Sequence, residues 1–303
     1  MAIIGITGGT GFVGTNVTRK LLDEGHQVII FTRSPEKHAS SDKIKYCRFF
    51  AKEKIIDADA LAKCEAIIHL AGANVAGKRW TEVYKNEIRS SRNDDTLYLT
   101  EMVNQHAGNC KVFVSASGVG YYGPDKNDHH AFDVNDLVND DFLGETCRLW
   151  ENASVQLSTA IRRVVFRIGI VLGKESGAFP QFFKPIKMGI LPVFGNGSQI
   201  ISWIHITDIT NLICYAIDHH QITGVYNAVS PEPVSQKKMM KAIAKINGSP
   251  AIPIKIPAFI LKILLGEMSI EILKSCTVSS RKIIQSGFTF QYQNLENALK
   301  DLI

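Results

Sequence analysis

Residues 7–14 combine four glycines and two threonines directly after the first hydrophobic run of the chain. The glycines match both G-x-x-G-x-x-G, at positions 8, 11 and 14, and G-x-G-x-x-G, at positions 9, 11 and 14. Because glycine has no Cβ, such a turn is tight, and its backbone N–H groups can approach a pyrophosphate at the N-terminus of the next helix. A strand before the motif and a helix after it favour dinucleotide binding over a purely structural turn. The candidate binding residues of this turn are Thr7, Gly8, Gly11, Phe12, Val13 and Gly14.

The end of the next strand indicates which dinucleotide this is. A site for NAD usually has Asp or Glu about 20 residues further on, where the carboxylate accepts from the ribose hydroxyls. Here the run "VIIFTRSPEK" has Arg33 and Ser34 at this place, 19 and 20 residues past Gly14, and no carboxylate before Glu36. A guanidinium can hold a 2′-phosphate through charge-assisted hydrogen bonds. The sequence therefore predicts NADP(H) as the cofactor, the alternative being an exposed loop arginine.

The elements that position these residues alternate along the chain. Short β-branched runs are separated by longer helical patterns, the first of which is a helix from about Gly11 to Glu24. This alternation predicts an α/β fold with a Rossmann-type, doubly wound parallel sheet buried on both faces. The predicted strands are Ile3–Thr7, Val28–Thr32, Lys45–Phe49, Ala66–Leu70, Val112–Ser115 and Val164–Ile168.

Past Gly169 the predicted strands and helices no longer alternate regularly, and connections rich in Pro and Gly follow. We expect a smaller C-terminal α/β substrate domain that is interleaved with the first and returns one strand, Val225–Ala228, to the main sheet. The predicted boundaries are residues 1–166 and 204–230 for the NADP-binding domain. Residues 167–203 and 231–303 form the smaller domain. The segment from about 125 to 142 is rich in Asp and Asn, which is typical of a mobile loop.

Composition narrows the possible partners. The formal charge of +5 is spread thinly, and no Lys/Arg run reaches the density of a nucleic-acid site. The six cysteines lie far apart, so neither a metal site nor a disulfide framework is predicted. The apolar segment 257–273 is too short and too charged to span a bilayer. We expect reduced thiols, a cytoplasmic location, no membrane partner and a small-molecule substrate.

As a whole, the chain is similar to an atypical extended short-chain dehydrogenase/reductase, of the epimerase-like family of NADP-binding proteins with its own C-terminal domain. The resemblance runs from residue 3 to beyond residue 265, with a further match near the end in "SGFTFQYQNLENAL". It is carried by "ITGGTGFVG", "TRSP", "IIHLAGANVAGKRWTEVYKNEIRSSR", "VFVSASGVGYYG", "FRIGIVLGKESGAF", "SWIHITDI", "VYNAVSPEPV" and "LLGEM".

The resemblance implies roles for several residues besides the glycine turn. Leu70, Ala71 and Gly72 would form the turn beside the adenosine and ribose, although strand ends followed by glycine are also common as simple turns. Ser115 to Ser117 would end a strand near the nicotinamide. The segment from Arg167 to Val171, at the end of another strand, would lie beside the nicotinamide carboxamide.

One departure from the family pattern bears on catalysis. Extended short-chain dehydrogenases usually carry Tyr-x-x-x-Lys, in which the lysine lowers the phenol pKa so that the tyrosine can exchange protons. The corresponding positions are Leu143 and Cys147, and neither supplies that chemistry. Ser117 occupies the place of the usual catalytic serine, and Tyr121 follows closely. These two are the candidate catalytic residues, with aromatic packing as the alternative for Tyr121.

A group of basic residues lies between these motifs: Lys78, Arg79, Arg89 and Arg92. Arg89 and Arg92 are three residues apart on one helical face, where they could bind cofactor phosphates or an anionic substrate, or form a solvated basic face. Of these, Arg92 is included among the candidate cofactor-binding residues.

Three functions fit this sequence. The first is an NADP-dependent oxidoreductase acting on a small carbonyl or hydroxyl compound. The second is a cofactor-binding sensor or regulator that has lost turnover, which the replacement of the Tyr/Lys pair favours. The third is a nucleotide-sugar epimerase or dehydratase, which the same replacement disfavours. A homodimer is possible for each, because the exposed helices of such sheets often form dimers.

Overall fold

The computed structural model describes residues 1–126, 130–248 and 250–303. Its strands and helices alternate along the first two thirds of the chain. The strands are β1 (Ile3–Thr7), β2 (Gln27–Thr32), β3 (Ile44–Phe50), β4 (Ile55–Ile56), β5 (Ala66–His69), β6 (Val112–Gly118), β7 (Arg162–Ile168), β8 (Ile170–Leu172), β9 (Ile190–Phe194), β10 (Ile200–Ile201), β11 (Trp203–His205), β12 (Gly224–Ala228), β13 (Val234–Ser235) and β14 (Ile252–Ile256). The helices are α1 (Phe12–Asp23), α2 (Ala58–Ala62), α3 (Glu82–His106), α4 (Phe142–Ala153), α5 (Phe179–Lys187), α6 (Ile206–Asp218), α7 (Gln236–Ile246), α8 (Ala258–Leu265), α9 (Ser269–Leu273), α10 (Arg281–Gln285) and α11 (Leu295–Leu302).

The main sheet has the strand order β12-β7-β6-β5-β1-β2-β3-β4. Its strands pair in parallel, except that β4 runs antiparallel to β3. From β1 the chain first extends the sheet through β2 and β3, and then crosses back to add β5, β6 and β7 on the other side. The carboxyl ends of β1 and β5 therefore flank the point where the strand order reverses, which is where open α/β sheets bind ligands.

Successive side chains of each strand point to opposite faces of the sheet, so the same strands contribute to two hydrophobic cores. Ile4 and Ile6 of β1 face α1 and α6, in a cluster of fully buried aliphatic side chains. The intervening strand positions face the other way, where Phe31 and Ile67 pack with Leu99 of α3. A sheet covered on both faces explains why β5 is buried at every position. The predicted Rossmann-type doubly wound fold is thus confirmed, with the predicted strands extended by a residue or more at several ends.

The second half of the chain forms a further core and three small two-stranded sheets. These sheets pair β8 with β11, β9 with β14, and β10 with β13. Leu172, Phe179, Trp203 and Met240 are buried in one cluster with Leu299 of α11. Strand β12 returns to the main sheet and pairs in parallel with β7, as the sequence predicts.

The segment from 125 to 142 is attached to the C-terminal part of the chain, except for residues 127–129, which lie outside the described residues. The Asp125 carboxylate accepts from both the backbone N–H and the hydroxyl of Thr277. Further along, the Phe132 N–H donates to the Thr277 carbonyl, and Phe132 forms a bridge with Val278. The described part of this segment is therefore anchored, in contrast to the mobile loop that its composition suggests.

The segment 257–273 divides into α8 and α9, and among the described helices none has the length and apolar composition needed to cross a bilayer. All six cysteines, which lie within the described ranges, have free thiols.

Candidate functional site

The glycine turn forms a cradle at the carboxyl end of β1. Gly8 adopts a φ of +72°, and a Cβ there would lie 2.7 Å from the backbone nitrogen of Ala71 in the turn after β5. A Cβ on Gly14 would overlap the carbonyl oxygen of Gly8. Helix α1 begins after Gly11 without a side-chain cap, so the N–H groups of its first turn have no capping acceptor. Free N–H groups at a helix N-terminus, with no Cβ over them, fit a pyrophosphate.

Three hydrogen-bonded side chains connect the elements beneath this cradle. The Thr7 hydroxyl lies 2.6 Å from Nδ1 of His69, whose Nε2 is 2.8 Å from the Thr96 hydroxyl. Burial lowers the pKa of His69 to about 3, with the Arg92 charge acting in the same direction, so the imidazole is neutral at pH 7. This chain of hydrogen bonds joins β1, β5 and α3 beneath the turn. It occupies the Thr7 hydroxyl, and cofactor contact by this residue stays a prediction.

Phe12 packs against a loop whose contact with the glycine turn the sequence analysis did not identify. Its ring contacts the places where a Cβ of Gly173 or Gly177 would stand, in the connection between β8 and α5. Val13 packs on the aliphatic core instead. The β8–α5 connection therefore lies against the N-terminus of α1, and its glycines are required for that approach.

Two arginines lie near the carboxyl end of β2, Arg33 in the loop that follows it and Arg48 on the neighbouring strand β3. Arg33 is exposed, and its guanidinium has no acceptor or ion-pair partner among the described residues. Ser34 precedes a short 3-10 turn at residues 35–37. Arg48 of β3, paired in register with Thr32, donates to the Arg33 carbonyl at 3.1 Å and to the Glu36 carboxylate at 3.1 Å. Arg48 thus pairs with the Glu36 carboxylate, and the Arg33 guanidinium remains available for an anion.

The serine predicted near the nicotinamide belongs to a buried network. The Ser117 hydroxyl donates to Oε1 of Glu151 at 2.8 Å. Both carboxylate oxygens of Glu151 accept from Arg167, at 2.8 and 2.9 Å, and the other guanidinium nitrogen donates to the Tyr122 hydroxyl and the Val134 carbonyl. The Arg167 donors are therefore directed to protein acceptors, so a contact of this residue with a carboxamide would come from the backbone. Ser115 is also buried and donates to the Ala116 carbonyl.

Tyr121 differs from its neighbour Tyr122. The Tyr122 hydroxyl is buried and donates to Asn227 at 2.7 Å. The central guanidinium carbon of Arg167 lies over the Tyr121 ring, 3.4 Å from its centroid, and the Tyr121 hydroxyl has no hydrogen-bond partner within the described ranges. Of the two tyrosines, Tyr121 is the one with a hydroxyl available to a ligand.

The positions of the missing Tyr/Lys pair are apolar in the structure. Leu143, Cys147 and Glu151 follow one another at four-residue spacing on one face of α4. Leu143 packs closely on Gly120, and the Cys147 sulfur lies 3.7 Å from the place of a Gly118 Cβ. Burial raises the pKa of the Cys147 thiol to about 11, so the thiol is protonated at neutral pH. Neither residue provides a base or a cation.

The turn after β5 completes this edge of the sheet. Leu70 and Ala71 border Gly8, and Gly72 stands over the guanidinium of Arg92. His205 caps the N-terminus of α6, where its ring accepts from the Thr207 N–H. Across the described chain, no group of three His, Cys, Asp or Glu side chains is arranged to hold a metal ion.

Comparisons with known proteins agree with this geometry. Residues 4–228 match the NAD dependent epimerase/dehydratase family, and residues 256–302 match a domain of unknown function, DUF1731. The epimerase family protein YfhF of Bacillus subtilis is 35% identical over 302 residues, which cover 99% of this chain and 97% of that protein.

Solved structures give the same result. The crystal structure of the human epimerase family protein SDR39U1 with NADPH superposes with a TM-score of 0.87 at 27% identity, covering 99% of this chain and 98% of that one. The nucleoside-diphosphate sugar epimerase of Corynebacterium glutamicum gives a TM-score of 0.77 at 30% identity, covering 99% of this chain and 58% of that one. The glycine cradle, the sheet order and these matches show that the chain belongs to the NAD dependent epimerase/dehydratase family, with a C-terminal DUF1731 domain.

Proposed function

We propose that this protein is an NADP(H)-dependent oxidoreductase acting on a small carbonyl or hydroxyl compound. The observation that carries the proposal is the pairing of two anion sites on one edge of the sheet. One is the uncapped N-terminus of α1 behind the glycine cradle, and the other is the unpaired guanidinium of Arg33. Their order along the sheet matches a pyrophosphate followed by a 2′-phosphorylated ribose.

NADP(H) is the cofactor that these residues fit. The first carboxylate after β2, that of Glu36, is engaged by Arg48 and so is not available to a 2′-hydroxyl. The human relative was solved with NADPH, which is consistent with the same preference. Gly8, Gly11, Phe12, Val13 and Gly14 would hold the pyrophosphate, and Arg33 and Ser34 would hold the 2′-phosphate. Leu70, Ala71 and Gly72 would border the adenosine and its ribose.

The bound cofactor would supply or accept the hydride, and the protein would orient the reactants. Ser117 is fixed by Glu151, so its oxygen is a hydrogen-bond acceptor of defined position. The Tyr121 hydroxyl has no protein partner and would donate to the substrate oxygen. Without an adjacent lysine this phenol is a poor base near pH 7, so the proposal favours its role as a proton or hydrogen-bond donor.

A sensor without turnover is the second candidate, and one observation favours it. Leu143 stands where the proton-transferring tyrosine is expected, and it packs with Trp80, Ile88 and Met268 in an apolar cluster. A positioned acid/base group contributes about 10² to 10⁴ in rate, so its replacement lowers the turnover that this site can reach. Nucleotide-sugar epimerisation needs that group most, because sugar oxidation requires deprotonation of a hydroxyl.

The organisation of the chain is part of the proposal. We keep residues 1–166 and 204–230 as the NADP-binding domain, and residues 167–203 and 231–303 as the substrate domain. The free thiols are consistent with a cytoplasmic location. A homodimer is kept as the proposed assembly, which the molar mass in solution would test.

The decisive experiment uses NADPH with deuterium at both C4 positions. The purified protein is incubated with this cofactor and a metabolite extract, and mass spectrometry detects deuterium in any product. A labelled metabolite that depends on the protein would support the oxidoreductase and identify its substrate. If NADPH binds but no label moves under varied conditions, the oxidoreductase proposal fails and the sensor takes its place.

A further inference from the structure

Helix α8 presents an apolar face to solvent instead of to the protein. Its eight residues are all apolar except Lys262, and Leu261 is the only one of them that is buried. Phe259 and Ile263, one turn apart, are 62% and 66% exposed, and Leu264 beside them is 66% exposed. Helices of such apolar composition are normally buried in globular proteins, so an exposed one marks a candidate binding surface.

The exposed apolar face continues along strand β14. The chain passes from β14 into α8 through one residue, Pro257, and every residue of β14 before Ile256 is exposed. The Ile252 N–H donates to the Gly189 carbonyl at 2.9 Å, which brings the exposed Met188 to the start of the strand. We refer to the following exposed side chains as the apolar surface: Met188, Ile252, Ile254, Phe259, Ile263 and Leu264.

Positive charge is concentrated in the part of the chain that carries the apolar surface. Residues 176–207 and 233–266 contain eight lysines and no Asp or Glu. Of the 34 Lys and Arg residues of the chain, 26 therefore lie elsewhere, together with all 29 Asp and Glu residues. These two stretches thus account for the whole net charge of +5, although the sequence as a whole shows no dense basic run.

Three of these lysines border the apolar surface. Lys187 directly precedes Met188, Lys255 belongs to β14, and Lys262 belongs to α8. All three are exposed, and none of them forms an ion pair within the described part of the chain. An apolar face with unpaired lysines at its border matches the two layers of an anionic membrane surface, the acyl chains and the negative headgroups.

Two observations argue against a second copy of this chain as the occupant. Ile252 and Ile256 direct their backbone hydrogen bonds to β9, so the free edge of β14 presents the backbone of Pro253 and Lys255. Proline has no N–H and lysine carries a charge, and both protect an edge strand from pairing with another strand. A two-fold contact through the apolar surface would also place lysines opposite lysines, with no carboxylate in either stretch to pair with them.

We propose that the apolar surface docks this protein on anionic membranes. The exposed side chains of α8 insert at the boundary of the acyl chains, and the three bordering lysines contact the lipid phosphates. Residues 257–273 are too short to span a bilayer, but a helix that lies in the plane of the interface does not need to span it. This docking replaces the expectation that the protein has no membrane partner. It is independent of the cofactor site, because the apolar surface contains none of the residues assigned to NADP(H).

Sedimentation with vesicles tests the proposal on the full chain in the absence of nucleotide. The vesicles contain either phosphatidylcholine alone or equal parts of phosphatidylcholine and phosphatidylglycerol. We expect the protein to bind the anionic vesicles and to bind those of phosphatidylcholine at least about tenfold more weakly, because the lysines then lack a partner. Binding to the anionic vesicles should weaken as ionic strength rises from about 0.15 M to 1 M, since salt screens the exposed charges.

Two double variants separate the apolar contribution from the charge. Ile263→Ser with Leu264→Ser is expected to lower the partition coefficient on anionic vesicles about a hundredfold or more, because two inserted apolar side chains are lost. Lys255→Gln with Lys262→Gln is expected to lower it about twentyfold, at about fivefold per lysine.

Matched controls make the same substitutions elsewhere on the surface. Val83→Ser with Val155→Ser alters two side chains that are 80% and 62% exposed, and Lys43→Gln with Lys45→Gln alters two exposed lysines at the start of β3. Both controls should bind anionic vesicles as the wild type does. All four double variants change exposed side chains, so their Tm values are expected to remain close to that of the wild type.

The variant Phe259→Trp reports the position of α8 by fluorescence. The three native tryptophans are all 8% exposed or less, so a probe at this exposed site gives a separate signal. We expect its emission to shift to shorter wavelength on anionic vesicles and to be quenched by brominated acyl chains. Val83→Trp, at an exposed site on α3, should show neither effect.

The proposal fails if the wild type does not bind anionic vesicles, or if neither double variant weakens binding more than its control. It also fails if the emission of Phe259→Trp does not change on these vesicles. Analytical ultracentrifugation covers the remaining occupant. A wild-type dimer that Ile263→Ser with Leu264→Ser converts to monomers would overturn membrane docking and assign the apolar surface to a second copy of the chain.

Discussion

Replacing Glu151 with Gln tests whether the network around Ser117 is a structural ion pair. The Glu151 and Arg167 side chains are 8% and 4% exposed, and they are joined by two hydrogen bonds below 3 Å. The substitution leaves the guanidinium buried without a counter-ion, which costs about 3–5 kcal/mol. Since 1 kcal/mol shifts the Tm of a chain somewhat smaller than this one by about 2–4 °C, we expect Tm to fall by roughly 6–20 °C.

Two controls isolate the effect of the buried charge. Glu145→Gln breaks the pair of Glu145 with Arg148 on the same helix, where the side chains are 42% and 41% exposed, so Tm is expected to change by no more than about 2 °C. The double variant Glu151→Met with Arg167→Met removes both charges and is expected to recover much of the stability.

Differential scanning calorimetry measures Tm for all four proteins, and NADPH titration measures their affinity. A Tm for Glu151→Gln close to that of the wild type would refute the buried ion pair, and so would a double variant as unstable as the single one. If the double variant folds but loses NADPH binding, the Arg167 side chain would have a role toward the cofactor that its hydrogen bonds do not suggest.

Three further predictions follow from the site. Arg33→Gln is expected to weaken NADPH binding by about 10²-fold or more, since two charge-assisted hydrogen bonds to the 2′-phosphate are lost, and to leave NADH binding unchanged. An equal loss of affinity for both nucleotides in a titration would contradict this. Gly14→Ala is expected to abolish NADPH binding, because its Cβ overlaps the turn backbone, whereas Gly108→Ala adds a Cβ in open space and serves as the control in the same titration. Burial raises the pKa of Asp95 from its usual value of 3.8 to about 6, with Asp94 adding to this effect and Arg33 opposing it. The fold therefore loses stability as the pH rises through this interval, and the loss is complete above it. Asp95→Asn should therefore raise the Tm at pH 7.5 and give no gain in Tm below pH 4. Thermal unfolding at both pH values is the measurement, and an equal gain in Tm at the two would contradict this reasoning.

The fold could be predicted because its signals are local. A β-branched run, a glycine turn and a helix follow one another within 24 residues at the start of the chain, and the same alternation recurs up to β7. The cofactor preference could also be predicted, since Arg33 occupies a fixed offset from the glycine turn. These patterns depend on neighbouring residues and on the period of strands and helices.

Other parts of the site depend on contacts that no local pattern contains. Arg48 reaches Glu36 because β3 pairs with β2 in a particular register, and the sequence gives no sign of that register. Glu151 and Arg167 are 16 residues apart on a helix and a strand, and each alone is typical of an exposed charge. The glycines at 173 and 177 lie in a stretch that carries the family resemblance and follow a strand end, but no local pattern links them to Phe12.

The Asp/Asn-rich segment from 125 to 142 shows the limit of composition as a guide. Its polar residues suggest a mobile loop, but the described part is attached through Asp125 and Phe132 to the strand-like stretch around Thr277. A partner 150 residues away in the chain determines the structure here. Tertiary contacts of this kind override local preference.

The central claim, a site built for NADP(H), is tested most directly by calorimetric titration of the wild-type protein with NADPH and, separately, with NADH. We predict one NADPH bound per chain, with a Kd at least about 10²-fold lower than that for NADH. Absence of NADPH binding, or NADH binding of equal or greater affinity, would contradict the assignment of the glycine cradle and Arg33.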